Sequence, residues 1–250
     1  MNTEVSFIKL LKENCLSTVM KLVFTPDWFL GGDVLIEVVS FIVLSLFVYF
    51  CIKNYKLGKK KSFLWLGLGF ALIALAEVST IFTKLVLYYD TSFTQTIGKI
   101  VVTYTVTKSV DIFYYIGFFF HKILTLCGLY VIYKIPFKKG LASDFFLGLY
   151  FLIVAAVFSQ LIYYVFHLTA FGLLAMIINN YSEVYRKNRS ENTLLLIIAF
   201  GGLLFSQAIA ILSRLNILYV LAQSLQLVSY IILLFLIFRI LKYGKKKKSH

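Results

Sequence analysis

Glu37, Glu77, His121, Lys122, His167, Gln207, Gln223 and Gln226 are the residues of this 250-residue chain best placed for chemistry. Each interrupts a long apolar run. His121 and Lys122 stand side by side near the middle of "YYIGFFFHKILTLCGLYVIYK", residues 114–134. Ionisable groups within a membrane span are costly, and they mark ion pathways, proton relays or ligand counter-ions. A lone lysine there costs ~3 kcal/mol on insertion scales, which an acid nearby would offset. Counted from the lysine-rich ends of the helices at ~1.5 Å per residue, Lys122 lies ~18 Å up and Glu77 ~22 Å. Gln207 lies at ~21 Å, Glu37 and Gln226 at ~24 Å, and His167 and Gln223 at ~28 Å. Six helices therefore contribute to one polar slab beyond the midplane of a ~30 Å core. The depths predict a Glu77–Lys122 ion pair, with His121 turned toward the bundle axis.

Two kinds of chemistry suit such a slab. It could bind a ligand, an ion or a proton. It could equally tie helices together through hydrogen bonds, each worth ~0.6–2 kcal/mol. Redox and metal chemistry find less support. His121 and His167 could hold haem or zinc, but they differ by ~8–10 Å in depth. Zinc would also need Glu37 or Glu77 as a third ligand. No haem, zinc or other cofactor is expected, no catalytic residue is assigned, and no reaction can be read. No lysine lies within the seventh apolar run, as a retinal pigment requires. Neither the Asp-Arg-Tyr nor the Asn-Pro-x-x-Tyr signature of animal seven-helix receptors occurs. Only three histidines are present and His250 is terminal, too few in the spans for a three-histidine zinc hydrolase. "LGGD" at 30–33 lacks the first glycine of the intramembrane aspartyl protease motif. Cys15, Cys51 and Cys127 form no metal or disulfide framework.

The elements that must carry these groups are membrane helices. The chain is 60% hydrophobic and only 14% charged, with a mean hydropathy of +0.88. Apolar runs predict an all-α bundle of seven transmembrane helices over 33–243, at about 33–53, 63–87, 112–133, 143–159, 162–185, 193–213 and 217–241. The fourth with the fifth, and the sixth with the seventh, come from dividing runs too long for one span. Residues 1–32 form an extracellular interfacial segment. Within it, Ser6, Lys9, Glu13, Ser17 and Lys21 mark the polar face of an amphipathic helix. The β-branched stretch "KIVVTYTVTKSV", 99–110, predicts a short hairpin in the longest loop. Shared faces are expected for Asp33, Glu37 and Ser40; for Glu77, Thr80 and Lys84; for Gly117, His121, Thr125 and Gly128; for Gln207 and Arg214; and for Gln223, Gln226 and Tyr230.

Charge adds an orientation. The net charge is +14, yet the lysines flank apolar runs rather than forming a nucleic-acid surface. Lys53, Lys56 and Lys59 to Lys61, Lys134, Lys138 and Lys139, Arg186, Lys187 and Arg189, and Arg239, Lys242 and Lys245 to Lys248 fall on one side of seven alternating spans. The positive-inside rule makes that side cytoplasmic and the N terminus external. The basic tail, 244–250, and its neighbours suit anionic lipid headgroups.

Leu225-Gln226-Leu227-Val228-Ser229-Tyr230 in the last helix resembles the Leu-Gln-Leu-x-x-Tyr pattern of small seven-helix membrane proteins common in archaea. The resemblance spans roughly 33–243 and implies the architecture and an outer N terminus. Members tend to carry histidine where Gln207 and Gln223 stand, so it implies no metal site here. The reading that emerges is a multi-pass cell-membrane protein with an outward polar pocket, a sensor- or receptor-like bundle acting through a partner protein. The alternatives are a proton- or ion-coupled transporter of small solutes, and a redox or enzyme subunit using His121 and His167.

Overall fold

A computed structural model describes residues 27–29, 31–59, 61–97, 102–135, 142–212 and 216–246. Among the described residues a short 3₁₀ turn, Asp27–Phe29, precedes seven α-helices. They are α1 (Gly32–Gly58), α2 (Lys61–Ile97), α3 (Val102–Lys134), α4 (Ala142–Leu161), α5 (Tyr164–Asn188), α6 (Glu191–Ile211) and α7 (Asn216–Lys246). Among the described residues there is no strand. Six helices, all but α4, are long and apolar enough to cross a membrane. The apolar stretch of α4, Phe146–Gln160, is shorter. The amphipathic segment expected at 5–24, the basic tail beyond Lys246 and Arg214 lie outside the described residues.

The expected hairpin at 99–110 is corrected: residues 102–110 are helical, within α3. β-Propensity is a weak, context-dependent preference, and here a long helix continues through it. α2 has 37 residues and α3 has 33, so at ~1.5 Å per residue both exceed a ~30 Å hydrocarbon core. The two divided runs break at tight turns. Ile162 N–H donates to Phe158 O at 2.9 Å and Val165 N–H to Ile162 O at 3.1 Å, closing α4 and opening α5. Leu212 N–H donates to Ile209 O at the end of α6.

Successive helices pack side by side, and α7 returns to α1 to close a ring. α3 packs directly on α5, and α4 lies outside that contact, touching both. The closest approach is between α2 and α3. A Cβ on Gly128 would stand 2.6 Å from Gly69 O, and one on Gly69 would stand 2.9 Å from Gly128 O. Lipid supplies no hydrophobic drive between helices, so intimate contact through small residues holds them.

The distribution of polarity is that of a membrane protein. Large apolar side chains such as Leu35, Ile42, Phe82, Phe120, Phe205 and Phe235 face outward. Asp33, Glu37, Glu77 and Lys84 are buried. Exposed Trp28 and Trp65 stand near opposite ends, where indole rings suit the two interfaces. The chain is therefore a multi-pass helical membrane protein whose outer face suits contact with lipid. Its apolar core fills the lysine-rich half. There an aromatic row crosses the bundle: Phe47 to Phe70 (4.3 Å between centroids), Phe70 to Phe200 (6.2 Å) and Phe200 to Tyr181 (5.9 Å).

Candidate functional site

All eight polar residues singled out from the sequence border one cavity of about 180 Å³. That is room for several waters or a small polar ligand, since a water occupies ~30 Å³ in the liquid. α1 contributes Glu37, α2 Glu77, α3 His121 and Lys122, α5 His167, α6 Gln207, and α7 Gln223 and Gln226.

Lys84 is the residue that sequence reasoning left out of the slab. Its Nζ lies 2.8 Å from Asp33 Oδ2 and 2.5 Å from Glu37 Oε1. Tyr219 OH accepts a longer hydrogen bond from it at 3.4 Å. None of Asp33, Glu37 and Lys84 is more than 4% exposed. Asp33 is held in turn by α1's own start, accepting from Gly31 N–H at 3.2 Å and Val34 N–H at 2.9 Å on Oδ1. The i, i+4 spacing of Asp33 and Glu37 puts both carboxylates on one stripe of α1.

The expected Glu77–Lys122 pair is corrected. Both hydrogen bonds of Glu77 fall on Oε1, from Gln226 Nε2 at 3.1 Å and Tyr230 OH at 3.2 Å. Lys122 Nζ instead donates to Ser159 O at 2.9 Å. Ser159 lies in the last turn of α4, where carbonyls lack helical partners and the helix dipole favours a cation. What holds Lys122 is therefore the end of a helix. Gln160 Nε2 adds a second tie, donating to Tyr115 O of α3 at 3.3 Å.

The histidines are fixed through Nδ1. His121 Nδ1 lies 2.7 Å from Thr80 Oγ1 and 3.2 Å from Ala76 O. Thr80 Oγ1 donates to Ala76 O, so Nδ1–H is the donor to both oxygens. His167 Nδ1 lies 2.7 Å from Gln207 Oε1 and donates to it. In each ring Nε2 remains as the acceptor. Phe166 packs against both rings, at 5.8 Å from His121 and 5.0 Å from His167. Among the described residues no three His, Cys, Asp or Glu side chains gather to hold a metal ion.

The two ends of the cavity differ. Toward the lysine-rich side it is lined by Phe70, Leu129, Leu174 and Phe200, none more than 4% exposed. Ile197 and Leu234, apolar residues of the same lysine-rich half, are only half-buried and absent from the lining. Phe200 and Leu174 take that role because helix rotation turns their faces inward. At the other end stand half-buried Tyr114, Gln160, Tyr163 and Tyr219. A second cavity of about 340 Å³ lies below the floor between α1, α2, α6 and α7. It is almost wholly apolar, with Phe47, Cys51, Leu66 and Leu236 in its walls. Phe47 borders the second cavity and touches Phe70, which borders the first.

Among the described residues, three buried polar side-chain atoms have no hydrogen-bond partner: Glu37 Oε2, Thr125 Oγ1 and Gln223 Oε1. All three residues line the polar cavity. A buried polar atom without a partner costs ~1–3 kcal/mol, so water or a ligand is called for where the space exists.

The chain matches no protein-family model, no curated protein and no solved structure. Its functional reading therefore rests on the cavity's own chemistry.

Proposed function

We propose that this protein is a seven-span cell-membrane receptor or sensor whose polar cavity binds a small ligand from outside the cell. α4 is counted as a span: its 20 residues reach ~30 Å at helical rise. The lysine-rich end is placed in the cytoplasm by the positive-inside rule, which puts the N terminus outside and turns the tyrosine-bordered end of the cavity outward. Anionic headgroups contact that inner side, and a partner protein receives the signal there.

The observation that carries the reading is the set of unpartnered polar atoms in a cavity floored by Phe70, Leu129, Leu174 and Phe200. A purely structural network would satisfy its members within the protein. A transport path would need access from both sides in turn. The floor favours one-sided access. Phe70, which touches Phe47 at the edge of the lower cavity, is the side chain through which occupancy reaches the cytoplasmic end.

Labelling of Thr125→Cys in sealed, oriented vesicles tests this, with Cys15, Cys51 and Cys127 all replaced by alanine. A small methanethiosulfonate reagent should modify the introduced thiol from outside and spare it from inside. Modification from both sides would move the assignment to the proton- or ion-coupled transporter. Protection from both sides would leave the polar groups as helix-tying bonds alone. A visible absorbance band from the purified protein would instead point to a haem-carrying redox subunit.

A further inference from the structure

We infer that the cavity's α1–α2–α7 corner takes the ammonium group of a small organic amine. This deepens the ligand-pocket reading and depends on it.

The corner is defined by contacts. Tyr219 on α7 reaches Lys84 Nζ, and Gln226 on α7 reaches Glu77. Gln223 lies four residues after Tyr219 and three before Gln226, on the same face of the helix. It therefore stands between the Lys84 cluster and Glu77. Glu37, whose Oε1 is held by Lys84, faces the same gap from α1. The two unpartnered acceptors of this corner, Glu37 Oε2 and Gln223 Oε1, belong to residues that border the same cavity as Lys84 and Glu77. Glu37 is 4% exposed, so bulk water does not serve its free oxygen.

What is missing is a donor, and the local charge says which kind. Among the described residues, Glu37 and Glu77 are the two carboxylates that line this corner, and the Lys84 ammonium beside them is shared by Glu37 with Asp33. Lys122, on α3, is committed to the end of α4, and His121 and His167 use Nδ1 on Thr80 and Gln207. None of them supplies the corner with a donor. Water would satisfy the oxygens and leave the charge. A primary ammonium supplies three N–H donors and one positive charge, matching Glu37 Oε2, Gln223 Oε1 and the second oxygen of Glu77. An alkali ion needs more oxygens than these three, and a quaternary amine has no donor to give. The 180 Å³ available fits a short amine and excludes a bulky one.

Thermal unfolding of the whole protein in detergent tests the inference. The chlorides of methylammonium, ethanolammonium, sodium and tetramethylammonium are compared at constant ionic strength. The two primary amines should raise Tm, by about 3–6 °C for each tenfold concentration beyond half-saturation. Tetramethylammonium, of equal charge without a donor, should not. Gln223→Leu removes one acceptor and no charge, and should cost about tenfold in half-saturating concentration; Glu37→Gln should do the same. Equal profiles for all four salts overturn the inference, since the corner is then neutralised by its own protons. Stabilisation by sodium alone overturns it in favour of an alkali-ion site. Stabilisation that survives Gln223→Leu places the amine elsewhere and also overturns it. None of these failures bears on the Thr125→Cys labelling, which tests the pocket by itself.

Discussion

Lys84→Met should be the most damaging single change of charge in the protein. The substitution keeps the length of the side chain and removes its ammonium. Asp33 and Glu37, 0% and 4% exposed, then lose the ammonium that joins them on one buried stripe of α1. Asp33 retains the Gly31 and Val34 amides, while Glu37 loses its partner at 2.5 Å and already has an unpartnered second oxygen. Breaking a buried pair by removing one partner costs ~3–5 kcal/mol, because a charge is left uncompensated. For a chain of this size each kcal/mol moves Tm by ~2–4 °C, so the loss is ~6–20 °C. Lys122→Met is the internal control. It removes one bond to a half-satisfied helix end, worth ~1–2 kcal/mol. With Cys15 and Cys127 replaced by alanine, unfolding in detergent can be followed by a thiol-reactive fluorophore as buried Cys51 becomes accessible. The Lys84 variant should lose ~1.5–5 times the Tm that the Lys122 variant loses. Adding Glu37→Gln to Lys84→Met should recover part of the drop. Equal losses for the two lysines, or no recovery in the double variant, would refute the electrostatic account of the α1–α2 contact.

Other outcomes follow from the same geometry. Gly128→Ala should cost ~1–3 kcal/mol in a denaturation assay, because the new methyl meets Gly69 O at 2.6 Å and Ile73 Cγ1 at 2.7 Å and the helices must part. Gly201→Ala, with nothing within 4 Å, should instead stabilise by ~0.4–1 kcal/mol; similar effects at the two sites would contradict the close α2–α3 approach. Lys59→Gly should be neutral or stabilising by up to ~1 kcal/mol, since Lys59 ends α1 at φ 48°, a left-handed position that favours glycine, and a marked loss of Tm would argue against that cap. In a background with Cys15, Cys51 and Cys127 replaced by alanine, a cysteine at Thr94 should label from outside intact cells and one at Gly58 should not, the reverse pattern inverting the proposed orientation.

Hydropathy alone determined that this chain is a helical membrane bundle, because ~20 apolar residues in succession have few other stable solutions in lipid. Helical rise alone determined which polar groups share a depth, and those eight residues border one cavity. The same period put Glu77, Thr80 and Lys84 on one face, and all three are buried. Partnership was decided by the tertiary structure. Depth counted at the backbone ignores the reach of a lysine side chain, so Lys84, near the end of a predicted span, was passed over although it descends to Asp33 and Glu37. Lys122 matched Glu77 in height, yet its partner is the last turn of α4. The end of that helix is set by where the chain turns, which no periodicity records. Rotation decided the rest: at ~100° of azimuth per residue, Phe200 and Ile197, three positions apart, differ by ~60°, enough to put Phe200 rather than Ile197 in the floor. A sequence fixes height along a helix through its local repeat; which helices face each other, and at what angle, emerges only when all seven pack.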